Sequence, residues 1–243
     1  MNLIYLLLIA TVLASGSMIF LIPHGNRKVL KLMLAFSGAF LIGISFLDLI
    51  PEVYNEALPH VGLFVLGGFV LQLLLELLTR GAEHGHEHDH DCGGDREEHV
   101  SPFLLLLGLC IHSFLEGMPI VGSFDPGLRN TLVTGIIIHN IPISLTLMGL
   151  FLHYGFNRFR SFLLLTLFAL MTPLGSILGT LLQSMPDVNI SAYFDYALAI
   201  VIGIFLHVST SILFETGENH QYNLRKFAAV VAGLFTAFIL SIL

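Results

Sequence analysis

The chain has 243 residues, of which 55% are hydrophobic and only 11% are charged, and its mean hydropathy is +0.86. A water-soluble domain keeps about 25% charged residues, so this composition excludes a soluble globule. The formal net charge of −7, with only ten lysines and arginines, excludes nucleic acid as a partner, and two cysteines are too few for a disulfide framework.

The apolar residues form long blocks and lack the period-two alternation of a membrane β-barrel. A helix needs about 20 mostly apolar residues to cross a bilayer, and it satisfies its own backbone hydrogen bonds there. The sequence therefore predicts an all-α integral membrane protein, with a single transmembrane domain over residues 1–243. We expect eight transmembrane helices, at residues 2–22, 30–50, 61–79, 102–121, 130–152, 161–184, 193–215 and 227–243.

The first apolar block begins at Asn2 and ends at Leu21. A secretory signal carries positive charge before its apolar core, and this block has none. We therefore interpret it as the first transmembrane helix, with cleavage near residues 14–16 as the alternative.

Basic residues predict the orientation of the helices. Nine of the ten lie in the connections that follow the first, third, fifth and seventh spans, and only Arg129 lies on the other side. Cytoplasmic loops carry the excess of lysine and arginine, so these connections are expected in the cytoplasm. Both termini are then extracytoplasmic.

Carboxylates occur at the outer end of the second span and inside the third. An ionisable group in a span costs about 2.5–3.5 kcal/mol on insertion scales, so it usually faces the bundle interior and has a function. Asp48 and Glu52 are candidates for the entrance of an ion path. Glu76 lies one turn before Arg80, which predicts a structural ion pair.

The connection after the third span, at about residues 80–100, is rich in histidine. Imidazoles interleaved with carboxylates suit zinc or similar borderline ions. We predict a cytoplasmic metal-binding loop whose ligands include His84, His86, His88 and His90. The alternative is a solvated linker.

The fourth span contains a histidine and a carboxylate on one face. His112 and Glu116 are four residues apart, and an imidazole nitrogen with a carboxylate oxygen can hold one divalent cation. Pro119 cannot donate to the carbonyl of Leu115, and Gly117 loosens the same turn, so the helix is expected to bend here. A lone histidine could simply join helices, but the nearby carboxylate and the bend favour a functional pair.

The fifth span repeats the arrangement of a histidine followed by a proline. His139 and Asn140 precede Pro142, which cannot donate to the carbonyl of Ile138. If this span packs against the fourth near mid-membrane, His139 becomes a third metal ligand. Asn140, Ser113 or water could then complete the coordination shell.

The seventh span carries His207 at depth and Glu215 at its end. Both residues are candidates for the ion path. For His207 the alternative is a hydrogen bond that packs two helices together.

Taken together, these features resemble the ZIP (Zrt/Irt-like) family of divalent-metal transporters over essentially the full chain. The eight spans, the extracytoplasmic termini and the histidine-rich loop agree with that family. Four motifs carry the resemblance: His-Ser-Phe-Leu-Glu-Gly at 112–117, His-Asn-Ile-Pro at 139–142, Thr-Pro-Leu-Gly at 172–175 and Leu-Ile-Pro-Glu at 49–52.

The resemblance implies uptake of zinc, or of Fe²⁺, Mn²⁺ or Cd²⁺, toward the cytoplasm. It also implies a metal site between helices four and five, a homodimer, and alternating access by an elevator-like motion. The compact chain has no long extracytoplasmic domain, so we expect a bacterial inner membrane as its location.

The chain departs from the family pattern after the fifth-span proline. Many members carry a metal-binding histidine or glutamate there, often followed by another glutamate, whereas this chain has Ile143 and Ser144. Asn140 replaces a common carboxylate and Ser113 replaces a common asparagine. These differences predict one metal ion in the site and not two.

Two other classes of function are compatible with parts of the pattern. An intramembrane metalloenzyme would need a separate general base, and the His-Glu-x-x-His motif of zinc proteases is absent from the sequence. A metal exporter or a metal sensor would also explain a histidine-rich loop. The direction of metal flux distinguishes these alternatives from uptake.

Overall fold

The structure is a computed structural model that describes residues 2–20, 27–55, 59–79, 101–122, 126–183, 190–215 and 224–242. These ranges are almost entirely helical and contain no β-strand. The helices are α1 (Asn2–Ser17), α2 (Arg27–Ile44), α3 (Ile50–Asn55), α4 (Val61–Thr79), α5 (Pro102–Gly117), α6 (Pro126–His153), α7 (Arg158–Gln183), α8 (Ile190–Glu215) and α9 (Leu224–Ser241).

Short irregular turns extend three of these helices. A 3₁₀ turn, Met18–Phe20, continues α1, and a second, Met118–Val121, continues α5. A π-helical turn, Ser45–Leu49, joins α2 to α3 without a break. The second span therefore consists of α2, this turn and α3, and helices α4 to α9 are the third to eighth spans.

Eight helical segments of the described ranges are long and apolar enough to cross a membrane, which confirms the predicted number. The third and fourth coincide with the predicted residues 61–79 and 102–121. The second span runs on through Pro51 to Asn55, because local π-helical adjustment lets a membrane helix continue through a proline. The fifth span begins at Pro126, since proline is favoured at the first position of a helix.

The helices pack as two sets. In the first set, α5 packs on α7, and α1 packs on both α6 and α7. In the second set, α4 packs on α8, and α2 packs on both α8 and α9. The two sets meet mainly where α2 contacts α6 and where α4 contacts α5.

Glycines lie where helices of one set approach most closely. Gly175 of α7 lies against the backbone carbonyl of Phe114, so a Cβ at this position would collide with α5. Gly68 of α4 lies in the same way against the carbonyl of Ile200 in α8. Membrane helices use small residues for such close packing, because hydrocarbon gives no hydrophobic force between them.

The distribution of side chains is the reverse of that in a soluble protein. Large apolar side chains such as Leu77 and Phe159 are more than 70% exposed, as a lipid-facing surface requires. Several polar side chains are almost fully buried between the helices. They include Gln72, His112, Ser113, Glu116, His139, Asn140, Ser144 and His207.

Candidate metal centre

Three side chains from α5 and α6, two helices of the first set, converge on one another. His112 and Glu116 come from α5 and His139 comes from α6. Each offers one ligand atom, and these atoms lie within 4.8 Å of one another. All three residues are at most 1% exposed. The structure thus brings together the three residues that the sequence predicts as a metal site.

The spacing along α5 positions two of these ligands. His112 Nε2 lies 2.9 Å from Glu116 Oε1, as expected for side chains one helical turn apart. The α-helix ends at Gly117, directly after Glu116. The carbonyl of Leu115 accepts a hydrogen bond from the N–H of Met118, because Pro119 has no N–H to offer. The predicted irregularity therefore occurs one residue beyond the carboxylate.

The third ligand lies on the neighbouring helix. The ring centroids of His112 and His139 are 5.8 Å apart, with an interplanar angle of 69°. Helix α6 continues through Pro142, one turn after Ile138. Proline inside a membrane helix is tolerated where neighbouring helices support it, and α6 packs against α1, α2 and α7.

Three buried oxygens, one of Glu116 and two of residues next to the histidines in sequence, lack hydrogen-bond donors within the described residues. They are Oε2 of Glu116, Oδ1 of Asn140 and Oγ of Ser113. A buried carboxylate without a donor is costly unless a cation or proton neutralises it. The chemistry of these groups therefore suits a divalent cation. Asn140 and Ser113 are buried beside the ligands in sequence, so their oxygens remain candidates to join the site.

Ser144 has a different role from the candidate ligands. Its Oγ lies 2.5 Å from Oγ of Ser15 in α1, and it donates to the carbonyl of Ile141. These contacts join α1 to α6 within the first set. The position where many members of the resembled family carry a second carboxylate is thus a packing contact in this chain.

A small cavity adjoins the two histidines. It is lined by His112, His139 and Ile143, and otherwise by aliphatic residues of α2, α5 and α8, namely Leu34, Leu109, Val208 and Ile212. The side chain of Ile143 therefore borders the metal-ligand group without contributing a donor atom. This surrounding apolar shell would keep water from a bound ion.

Sequence reasoning missed Gln72 of α4. Its Oε1 lies 3.0 Å from Nδ1 of His112, and both residues are buried. The available signal was a glutamine in a mostly apolar span, one turn before Glu76. The residues are 40 positions apart, however, so spacing along one helix could not predict the contact.

The candidates for the entrance lie at the end of the second span. Asp48 is half-buried in the π-helical turn, and Glu52 is half-buried in α3. Neither belongs to the group of three ligands. The two carboxylates are four residues apart, so they occupy one side of the chain where the second span ends.

His207 of α8 faces α4. Its Nε2 lies 3.4 Å from Oε2 of Glu76, which also accepts a hydrogen bond from Ser211 at 3.3 Å. The imidazole and the ring of Phe69 pack edge to face, with their centroids 4.8 Å apart. Glu76 thus contacts α8, and the ion pair predicted with Arg80 lies outside the described residues, as do the side chain of Glu215 and the loop with His84, His86, His88 and His90.

Comparisons with known proteins relate this chain to zinc transporters. The sequence profile of the family described as ZIP zinc transporter matches residues 80–241. Zinc transporter zipt-7.1 of Caenorhabditis briggsae is 24% identical, over 87% of this chain and 68% of that protein. Zinc transporter ZupT of Chlorobium phaeovibrioides is 28% identical over 96% of both chains. Zinc transporter ZIP13 of Pongo abelii is 29% identical, over 62% of this chain and 46% of that protein.

Proposed function

Because this chain belongs to the ZIP family of zinc transporters, we propose that it moves zinc across a membrane toward the cytoplasm through the centre formed by His112, Glu116 and His139. The family is one of transporters and not of enzymes, and the eight apolar helices agree with a multi-pass membrane protein. Zinc is the transported substrate in this proposal.

The buried group of three ligands carries the proposal. Two imidazole nitrogens and one carboxylate oxygen lie within 4.8 Å of one another and are shielded from solvent. Zinc binds such mixed nitrogen and oxygen ligands in tetrahedral sites, and Asn140, Ser113 or water would supply the fourth. Fe²⁺, Mn²⁺ and Cd²⁺ are secondary substrates in this proposal. Which metal occupies such a site depends on the concentration of each available metal as well as on the types of ligand.

One ion in the centre is favoured over two. Ile143 borders the centre with an aliphatic side chain, and Ser144 contacts Ser15. Asn140 contributes no charge to offset a second cation. The group of three ligands contains a single carboxylate, Glu116. Its one negative charge would have to offset the positive charges of two neighbouring divalent ions.

The direction of transport rests on the distribution of charge. Nine of ten basic residues fall in the connections that we place in the cytoplasm, so both termini are extracytoplasmic in this proposal. Asp48 and Glu52 then lie at the outer end of the second span, where their negative charge attracts cations. His207 with Glu76, then Glu215 and the histidine-rich loop, lie toward the cytoplasmic side as a release path.

The two sets of helices suggest how access alternates. All three ligands belong to the set α1, α5, α6 and α7, which packs closely within itself. The other set, α2, α4, α8 and α9, would be the fixed frame along which the first set slides with its ion. We place the protein, as a homodimer, in a bacterial inner membrane, and the relative from Chlorobium phaeovibrioides supports that host.

Zinc flux into sealed proteoliposomes tests this function, with Glu116→Ala as the critical variant. We expect inward flux for the unsubstituted protein and none for the variant at equal incorporation. Asp195→Asn is a matched control, because Asp195 is a buried carboxylate outside the group of three ligands. Flux that persists in Glu116→Ala would exclude this centre. Tight zinc binding without flux would favour a sensor, and outward flux would favour an exporter.

A further inference from the structure

We propose that Gln72 is a positioning residue for the metal centre, because its side-chain amide holds the imidazole of His112 with Nε2 turned toward the ion. This inference rests on the proposed function, since it deepens the account of the same centre. Gln72 belongs to α4 and touches the centre from the opposite set of helices.

The hydrogen bond selects one form of the imidazole. Oε1 of Gln72 lies 3.0 Å from Nδ1 of His112, and an amide oxygen can only accept. Nδ1 therefore carries the proton and donates it to Gln72. In a neutral imidazole the other nitrogen then has its lone pair exposed, and this is the form that binds a metal.

The remaining nitrogen faces the other ligands. Nε2 of His112 lies 2.9 Å from Oε1 of Glu116, another member of the group of three ligands. Gln72 thus acts from behind the ring, through Nδ1, while Nε2 points into the centre. Metal-bound histidines commonly donate their second N–H to such a partner, which fixes the orientation of the ring and increases its basicity.

Burial makes this contact specific. Gln72 is 0% exposed and His112 is 1% exposed, so water does not compete for the bond. Gln72 belongs to the α4 set and His112 to the α5 set, so the bond also crosses between the two sets. If the sets slide during transport, the imidazole loses this support when the centre moves away from α4.

The test compares four variants with a background protein in which His84, His86, His88 and His90 are serine, so that loop binding does not contribute. Gln72→Met removes the oxygen that accepts the hydrogen bond from His112 at nearly constant side-chain volume. Gln72→Glu keeps an acceptor oxygen. Gln72→Asn stays polar but is too short to reach the ring. Thr79→Val is the matched control, because Thr79 is fully buried in the same helix.

The measured quantities are zinc affinity, by competition with a chromogenic chelator, and the KM and kcat of zinc flux. Gln72→Met and Gln72→Asn should weaken zinc binding about 10–100-fold and raise KM. Gln72→Glu should bind zinc at least as tightly as the background protein, and Thr79→Val should bind it equally.

Two results would overturn the inference. The first is full zinc affinity in the folded Gln72→Met and Gln72→Asn proteins. A purely structural role for Gln72 predicts this result, with lower thermal stability as its one effect. The second is a loss of zinc affinity in Gln72→Glu that is as large as the loss in Gln72→Met. Failure of the proposed function looks different, because the background protein itself would then show no inward zinc flux.

Discussion

Nε2 of His112 and Oε1 of Glu116 are 2.9 Å apart in a part of the helix bundle that is closed to solvent. With Nδ1 of His112 donating to Gln72, Nε2 of a neutral imidazole is an acceptor that faces a carboxylate. Two acceptors at this distance repel each other unless a proton or a metal ion lies between them. The pair is therefore stabilised by binding a cation.

Glu116→Gln should abolish the stabilisation that zinc gives to the protein. A ligand at 100 times its Kd stabilises the folded state by about 2.7 kcal/mol, and the variant lacks the charge that holds the ion. We expect zinc to raise the Tm of the unsubstituted protein and to leave that of the variant unchanged. Thermal unfolding in detergent measures this, with the loop histidines replaced by serine in both proteins.

The same experiment gives a second expectation without metal. An amide at position 116 removes a buried, poorly compensated charge, so the metal-free variant should be at least as stable as the parent. Asp195→Asn is the control and should keep the full response to zinc. An undiminished zinc response in Glu116→Gln would contradict the assignment of this carboxylate as a ligand.

Alanine at two neighbouring glycines in α4 should affect stability differently. A Cβ at Gly68 would collide with the backbone of Ile200 in α8, whereas a Cβ at Gly67 meets nothing within 4 Å. Gly68→Ala should destabilise the fold by about 1–3 kcal/mol through overpacking. Gly67→Ala should be neutral or stabilise it by up to about 1 kcal/mol, because alanine favours the helix.

Thermal unfolding of both alanine variants checks this prediction. Equal effects at the two positions would show that α4 does not pack on α8 through the face that carries Gly68. The comparison is independent of metal binding, because neither glycine belongs to the group of three ligands.

His207→Phe should slow zinc release without changing the affinity of the centre. Nε2 of His207 lies 3.4 Å from Oε2 of Glu76 on the side that we place toward the cytoplasm. Loss of this pair should lower kcat about tenfold, which corresponds to about 1.4 kcal/mol in the barrier. Flux kinetics and equilibrium zinc binding, measured on the same preparation, separate the two quantities.

Thr210→Val is the control for His207, because the hydroxyl of Thr210 lies on the same helix and donates to backbone carbonyls of that helix, those of Leu206 and His207, and not to the imidazole. It should leave kcat unchanged. A lower Tm for His207→Phe, with normal flux per folded molecule, would instead assign His207 to helix packing, the alternative that the sequence left open.

The sequence predicts the spans, and the convergence of His112, Glu116 and His139, for identifiable reasons. Apolar length and flanking polar residues define a membrane span, so the predicted 61–79 and 102–121 match α4 and the α5 segment. The spacing of His112 and Glu116 is set by helical geometry alone. Only the approach of His139 required tertiary packing, and the repeated histidine–proline pattern indicated it.

Other features depended on contacts that no periodicity encodes. Glu76 has Arg80 one turn away in sequence, yet it contacts His207 and Ser211 of α8. The contact between Gln72 and His112 joins two helices that the chain connects through residues 80–100. The π-helical turn at Ser45–Leu49 also left no pattern in the apolar residues, and the predicted span 30–50 ends before the helical end at Asn55.

Ile143→Glu should convert a one-ion centre into a two-ion centre. Ile143 lines the cavity beside His112 and His139, so a carboxylate at this position reaches the ligand group. Without metal the new charge is buried and should lower the Tm, and zinc should restore it. Elemental analysis of protein with the loop histidines replaced should give one zinc per chain for the parent and for Ile143→Leu, and two for Ile143→Glu. Two zinc ions per chain in the parent would contradict the single-ion prediction. One zinc ion per chain in folded Ile143→Glu would show that the lack of a carboxylate at position 143 is not what restricts the centre to one ion.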